Sequence, residues 1–461
     1  MFRLQVATMI AAALAALALP ACTRESAENG KPGAASATSG RRSETGATGE
    51  GNHQSQTGAA GAPPAFVTKR GSVLMLSQAR FEDVTDPKTG KTLPRPQPAR
   101  LVILRWDGDR WVRQAIDDPE SNVFHKAIPF RDPLAAGRGL GILTIAGQQA
   151  AVKVWYPGGD GWSARTLWKT SFGGRWNRFR DCEIGDVTGD GKADIALATH
   201  DQGVVAVLQQ TQKAWKPVEI DRKKRTFVHE IELADLDGDG LCEIYATPSQ
   251  PNRLNGKPQP GAIVSYHHAA EGFTRTVVEE FPLRHVKEIL AADLSGDGRQ
   301  VLLAAVEAEM GAAADAPRRA HETLIKRYTY HDGAYHGEVV ATLPDTMCRF
   351  LVAGDVDGDG EPEVIAATRA AGLYLLRPGS PPWPAELIDA ESGGFEHATV
   401  LGDLDGNGVA EIYVAADRQH ELRRYVWDGK QWQRETLVHI DPDALDWNVY
   451  AAPPAEAAFG R

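Results

Sequence analysis

Asp355-Val-Asp-Gly-Asp-Gly-Glu-Pro-Glu363 is the stretch on which the fold turns. Oxygen-bearing side chains stand at positions 1, 3, 5 and 9, and Gly360 stands at position 6. A hard divalent cation takes about six to eight oxygens, and this spacing wraps a short loop round one. The glycine lets the backbone turn sharply, so that the carbonyl of residue 7, Glu361, can face the metal.

The pattern recurs. Asp235-Leu-Asp-Gly-Asp-Gly-Leu-Cys-Glu243 is complete, with Asp237, Asp239 and the Leu241 carbonyl as the inner positions. Asp186 to Asp194 carries Thr188, Asp190 and Lys192; Asp403 to Glu411 carries Asp405, Asn407 and Val409. The fifth copy has Asp293, Ser295, Asp297 and Arg299 but ends in Val301, which cannot ligate. An acidic turn without metal would account for one such loop, but not for four near-complete copies in one frame. Four Ca2+ ions are therefore expected, and a fifth stays open at the Asp293 loop. These are not EF-hands, because position 12 is Leu197, Ala246, Ala304, Ala366 or Val414 where a bidentate Glu is required. The flanking runs, such as Glu243-Ile-Tyr-Ala-Thr and Glu363-Val-Ile-Ala-Ala, are short and β-prone. The loops thus belong to β-hairpins.

A second marker repeats through the chain. A turn leads into an aromatic residue at Trp111, Trp162, Trp215, Phe273, Tyr335, Trp383 and Trp432. Each aromatic follows a strand-like run and opens an alternating segment, as expected of an outer strand with one wet side. One repeat therefore reads strand A, acidic loop, strand B, connection, strand C, aromatic hairpin, strand D. Four evenly spaced strands per repeat make a propeller blade, and seven markers make seven blades. Their approximate limits are 66–120, 121–170, 171–224, 225–280, 281–344, 345–390 and 391–440. The acidic loops fall in the A–B hairpins of blades 3–7; blades 1 and 2 lack them. A β-solenoid needs shorter coils, and a β-sandwich does not explain a repeated four-strand unit. Asp446-Trp-Asn-Val-Tyr450, beyond the seventh blade, is placed to supply the missing strand of blade 1 and close the ring.

The N-terminus is different in kind. Residues 1–21 hold Arg3 and an apolar run from Met9 to Leu19, too short to span a membrane and suited to export. Leu19-Pro-Ala-Cys22 resembles the lipobox of bacterial lipoproteins. That resemblance implies cleavage before Cys22, lipidation of its sulfur and, with Thr23 next, delivery to the outer membrane. An ordinary secretory signal with a stray cysteine is the alternative. Residues 23–64 contain no Val, Ile, Leu, Met, Phe, Tyr or Trp, so residues 22–64 read as a lipid-anchored tether with a reach of about 35 Å. The folded part is 65–461. Cys182, Cys242 and Cys348 show no CxxC or zinc spacing and read as small buried residues. The formal charge of -11 argues against nucleic acid as the main partner. Five bound Ca2+ would bring it close to neutral.

Asp-x-Asp-Gly-Asp-Gly-x-x-Glu followed by Ile-Tyr or Val-Ile resembles the FG-GAP/VCBS repeat family, closely over 171–440 and loosely over 66–440. The resemblance implies a calcium-bearing β-propeller like the head of integrin alpha subunits. The family includes adhesion modules and also bacterial enzymes, among them polysaccharide lyases and an aldos-2-ulose dehydratase. Fold and metal follow from the motif; activity does not.

Six residues before the first Asp of each loop stands a base: Arg180, His229, Lys287, Arg349 or His397. Blade 2 has His125 and Lys126 at the matching place. These residues begin strand A, about 20 Å from the loops, on the side of its buried positions. Strand A lines the channel of a propeller, so the bases are expected to form a positive funnel on the face away from the metals, suited to an anionic ligand. Pairing with neighbouring carboxylates (Asp181, Glu183, Glu230, Glu232 and Glu288) is the structural alternative. Two functions remain open. One is a lipid-anchored, calcium-stabilised envelope module that presents a glycan- or protein-binding face. The other is a carbohydrate-active enzyme, lyase-like, using His229 or His397 as base and Arg180 or Arg349 to neutralise a uronate. No nucleophile elbow, phosphate loop or zinc motif is present in the sequence.

Overall fold

The computed structural model describes residues 66–461 apart from 88–89, 91, 160, 252–259, 312–317, 320–321, 458 and 460–461. The expected export signal at 1–21, Cys22 and the tether lie outside the described residues. Among those described, no helix is long and apolar enough to cross a membrane.

Seven antiparallel sheets are the blades. Blade 2 runs Phe124–Phe130, Gly141–Ala146, Ala150–Gly158 and Gly161–Thr170, strands A to D in order. The A strands that follow are Phe179–Gly185, Phe227–Ala234, Val286–Ala292, Cys348–Gly354 and Thr399–Gly402, each opening its own four-strand sheet. Successive A strands lie against one another round the ring.

Blade 1 is assembled from both ends of the fold. Its B, C and D strands are Val73–Thr85, Ala99–Trp106 and Trp111–Asp118. Its A strand is Ala444–Ala452, antiparallel to Val73–Arg80, with Leu76 opposite Val449 and Met75 opposite Tyr450. This strand touches the A strands of blades 2 and 7, which completes the circle. Strand B of blade 1 also runs past its sheet into a hairpin, Phe81–Thr85 pairing Thr92–Pro96.

A blade is held on both faces, and the B strands show how. Asp194–Thr199 is buried throughout. Its side chains alternate: Ile195 and Leu197 join a core shared with blade 2, whereas Ala196 and Ala198 join one shared with blade 4. Blade 4 repeats this, with Ile244 and Ala246 facing blade 3 and Tyr245 facing blade 5. The period-2 pleat thus buries a strand on two sides, which is why these runs read as continuous apolar stretches. The D strands are mostly exposed, as in Gly161–Thr170. Cys182 and Cys348 are buried free thiols, and Cys242 is buried as well.

Candidate functional site

The five acidic loops share one backbone geometry. The first Asp accepts from the N–H groups of residues 4 and 6: Asp235 from Gly238 and Gly240 at 2.8 and 2.9 Å, Asp293 from Gly296 and Gly298 at 2.8 and 2.7 Å. Both glycines are left-handed, with φ of 77° and 92° in the Asp235 loop and 82° and 90° in the Asp355 loop. A side chain is strained there, so the glycines are dictated by the turn. Residue 5 then accepts from the N–H of residue 7, as Asp359 does from Glu361 at 2.9 Å.

Three or more carboxylates draw their oxygens together in three of the five loops. One oxygen from each of Asp235, Asp237, Asp239 and Glu243 lies within 4.8 Å of the others, and the same holds for Asp355, Asp357 and Asp359 and for Asp403, Asp405 and Glu411. Glu243 and Glu411 are buried and pushed up to about 7, first by burial. A divalent cation would reverse that shift; His267 also reaches the Asp235 loop, 3.5 Å from Glu243, whereas the carboxylate oxygens gathered in the Asp355 and Asp403 loops suit Ca2+. The tyrosine two residues on aims each glutamate: Tyr245 donates to Glu243 at 2.8 Å and Tyr413 to Glu411 at 2.9 Å. Sequence inspection gave those tyrosines no role. In blade 6 Ile365 replaces the tyrosine, and Arg377 bridges Glu363 and Asp357 at 2.7 Å each. In blade 3 Thr188 bonds Asp194 at 2.9 Å and Lys192 pairs with Asp190.

The six bases stand at the other end of the A strands, and five lie on β-bulges. The pairing register skips His125, Arg180, Lys287 and Arg349, and in blade 4 it skips His229 with Glu230. His397 precedes its strand with φ of 59°. A bulge resets which way the following side chains point. The bases are therefore not in phase with the buried positions by simple alternation, as the sequence count assumed.

His125, Arg180, His229, Lys287 and Arg349 are brought together, His397 faces Ser392 and the Thr368 carbonyl instead, and all six are buried, none above 3 % exposed. The expected open funnel is filled with side chains. Lys287 pairs with Glu307 at 2.7 Å and Arg349 with Glu396 at 2.8 Å. His397 shares hydrogen bonds of 2.7 Å with Ser392 and with the Thr368 carbonyl. His125 lies 2.9 Å from Arg180, whose guanidinium also sits over Trp447 at 5.7 Å. Lys126 pairs with Asp181 at 3.0 Å and with Glu183. Asp181 also accepts from the Ile231 N–H at 3.0 Å, and Glu288 from that of Leu351 at 2.8 Å, so the carboxylates tie one blade to another. His200 and His285, not anticipated from sequence, flank His229 with ring centroids 5.8 and 6.1 Å away. Burial holds His125, His200 and His229 well below the usual imidazole range. They are neutral spacers among fixed cations.

Residues 186–246, the loop of blade 3 through the loop of blade 4, match the model of the FG-GAP-like repeat. The chain carries an FG-GAP-like repeat. The match runs from the acidic loop of blade 3 into strand B of blade 4. No curated protein matches in sequence. Among solved structures, a lectin of Agrocybe aegerita that recognises non-reducing terminal N-acetylglucosamine is similar with a TM-score of 0.50 and 15 % identity, covering 85 % of this chain and 97 % of its own. A protein from Lactobacillus plantarum is similar with a TM-score of 0.51 and 11 % identity over 83 % and 99 %. A puromycin hydrolase gives 0.50 and 16 % over 83 % of this chain and 55 % of its own. At such identities the likeness is one of fold.

Proposed function

We propose that this FG-GAP-like propeller is a calcium-stabilised binding module carried at the cell envelope by a lipid on Cys22, with residues 23–64 as its tether. Ca2+ is structural in this account. It fixes the A–B hairpins, so its binding energy becomes folding energy. The face that meets a glycan or protein partner is the one opposite the loops.

The observation that carries the proposal is the filling of the channel mouth. His229 and His397, the two bases a lyase would need, are 0 % exposed. A general base must reach the proton that it removes, directly or through one water. Here each base is enclosed, and Lys287 and Arg349 already hold carboxylates of the protein. Binding without catalysis is the chemistry that this arrangement supports. The test pairs two measurements on the intact protein. Calcium should raise the melting temperature and EDTA should lower it, while uronate polymers incubated with the protein should yield no unsaturated product. An unsaturated product that disappears in a His229→Ala variant would replace this account with the lyase.

A further inference from the structure

Beside the filled mouth lies a cavity of about 160 Å³. The blade 1 hairpin contributes Phe81, Pro94 and Pro96, and the segment entering blade 3 contributes Arg175, Trp176 and Arg178; Trp447 of the closing strand completes the wall. A cavity near 150 Å³ holds one six-membered ring.

Its chemistry is unbalanced. Arg178 is 7 % exposed, and its guanidinium lies 3.5 Å from His125, which in turn contacts Arg180. Arg175 and Arg178 both lie over the Trp176 ring, at 4.8 and 4.4 Å. Among the described residues neither arginine makes an ion pair. The neighbouring carboxylate, Asp201, accepts from the backbone N–H groups of Arg175 and Trp176 at 2.6 and 3.0 Å and so fixes the segment that presents them. Glu396, the next acid, is held by Arg349. The walls are also drawn tight. A Cβ on Gly147 would lie 2.5 Å from Val123 Cγ1 and 3.1 Å from Arg178 Cβ, so a glycine is what lets these two cavity residues approach.

We propose that this cavity binds a ring-sized carboxylate. Arg178 and Arg175 take the acid group, and Phe81, Pro94, Pro96 and Trp447 cover the ring. Asp201 and Glu396 act on the buried Arg178 guanidinium only from beyond ion-pair distance, which leaves its planar fork for a carboxylate supplied from outside. The mostly apolar walls favour a compact ring over a highly charged phosphate. The inference rests on the binding-module account and names its ligand chemistry. Two sources share that chemistry: the terminal uronate of an acidic glycan and an aromatic acid.

Calorimetric titration of the calcium-loaded protein at low salt tests it, with sodium glucuronate, sodium benzoate, glucose and benzyl alcohol as probes. Saturable binding of at least one acid is expected, with its neutral analogue about tenfold or more weaker. Preference for glucuronate points to glycan ends; preference for benzoate points to aromatic acids. Arg178→Gln should weaken binding about tenfold or more. Should that variant not fold, Arg175→Gln, at an exposed position, should still weaken it several-fold. Failure of both acids to bind, or equal binding of the neutral analogues, overturns the inference. If calcium still raises the melting temperature in that event, the binding-module account stands without it.

Discussion

Gln78 donates to Asp446 at 2.9 Å across the seam of the ring, although the two residues are 368 positions apart in sequence. Both are buried. The bond is the polar counterpart of the strand pairing that makes blade 1 whole, and the next residue is the apolar one. Trp447 is 1 % exposed and packs edge-on against His125 with centroids 4.7 Å apart. Trp447→Ala removes that packing from the closure itself. Denaturant titration should show a loss of about 3–5 kcal/mol. A loss below about 1 kcal/mol would mean that the ring is held elsewhere.

The pH dependence of stability should run against the usual pattern of acid-labile ion pairs. Burial raises Glu183 and Glu396 to about 7, Asp417 to about 6 and Asp446 to about 8. A carboxyl whose folded value lies above its unfolded value, about 4, stabilises fully below that unfolded value. That contribution is lost as pH rises through the folded value. The histidines act in the opposite sense. Burial lowers His285 to about 3 and His397 to about 4. Their contribution is complete above about 6.5 and fades as pH falls. Above about 6.5 the carboxyls act alone. Melting temperatures of the calcium-loaded protein should therefore decline between pH 6.5 and about 8. A rise over that interval would contradict the buried-acid account.

Calcium should discriminate among the loops. Asp235→Ala and Asp355→Ala should each reduce the increase in melting temperature that calcium gives, and metal analysis should find about one ion fewer per variant. Asp297→Ala, in the loop that ends in Val301, should change the calcium response least. If EDTA leaves melting unchanged and no calcium copurifies, the loops are acidic turns only.

Neighbouring A strands meet without room to spare. A Cβ on Gly402 would lie 2.8 Å from Ala451 Cβ, where blade 7 meets the closing strand. On Gly354 it would meet only Leu401 Cδ1, at 3.0 Å. Gly402→Ala should cost about 1–3 kcal/mol in denaturant titration, and Gly354→Ala less, because a leucine tip can turn aside where an alanine on a paired strand cannot. Equal effects at the two positions would place the constraint elsewhere.

Much of the fold was legible because its signals are local. The acidic loops and hairpin aromatics fall within single hairpins, so each could be read from a dozen residues. Asp446 to Tyr450 was readable as the closing strand because six complete repeats left blade 1 one strand short. The bulges at Arg180, Lys287 and Arg349 left no trace in the sequence. An extra residue in one strand is defined only by its partner, so counting along strand A misassigned the phase. The cavity beside Arg178 was equally hidden, since its walls come from residues 79 to 447 and depend on closure. Nor does any local pattern separate Tyr245 as a buried residue from Tyr245 as the donor that aims Glu243.

The origin of the inner strand of blade 1 also sets a schedule. The blade that is synthesised first is finished last, because its inner strand, Ala444–Ala452, comes after all seven repeats. Until those residues emerge, Val73–Arg80 offers an unpaired edge, and the nascent chain is an open arc rather than a ring. Such an edge recruits other strands, so a chain arrested before residue 444 would be prone to aggregate and easy to cleave. Pairing of Ala444–Ala452 with Val73–Arg80 covers that edge and converts the arc into a ring.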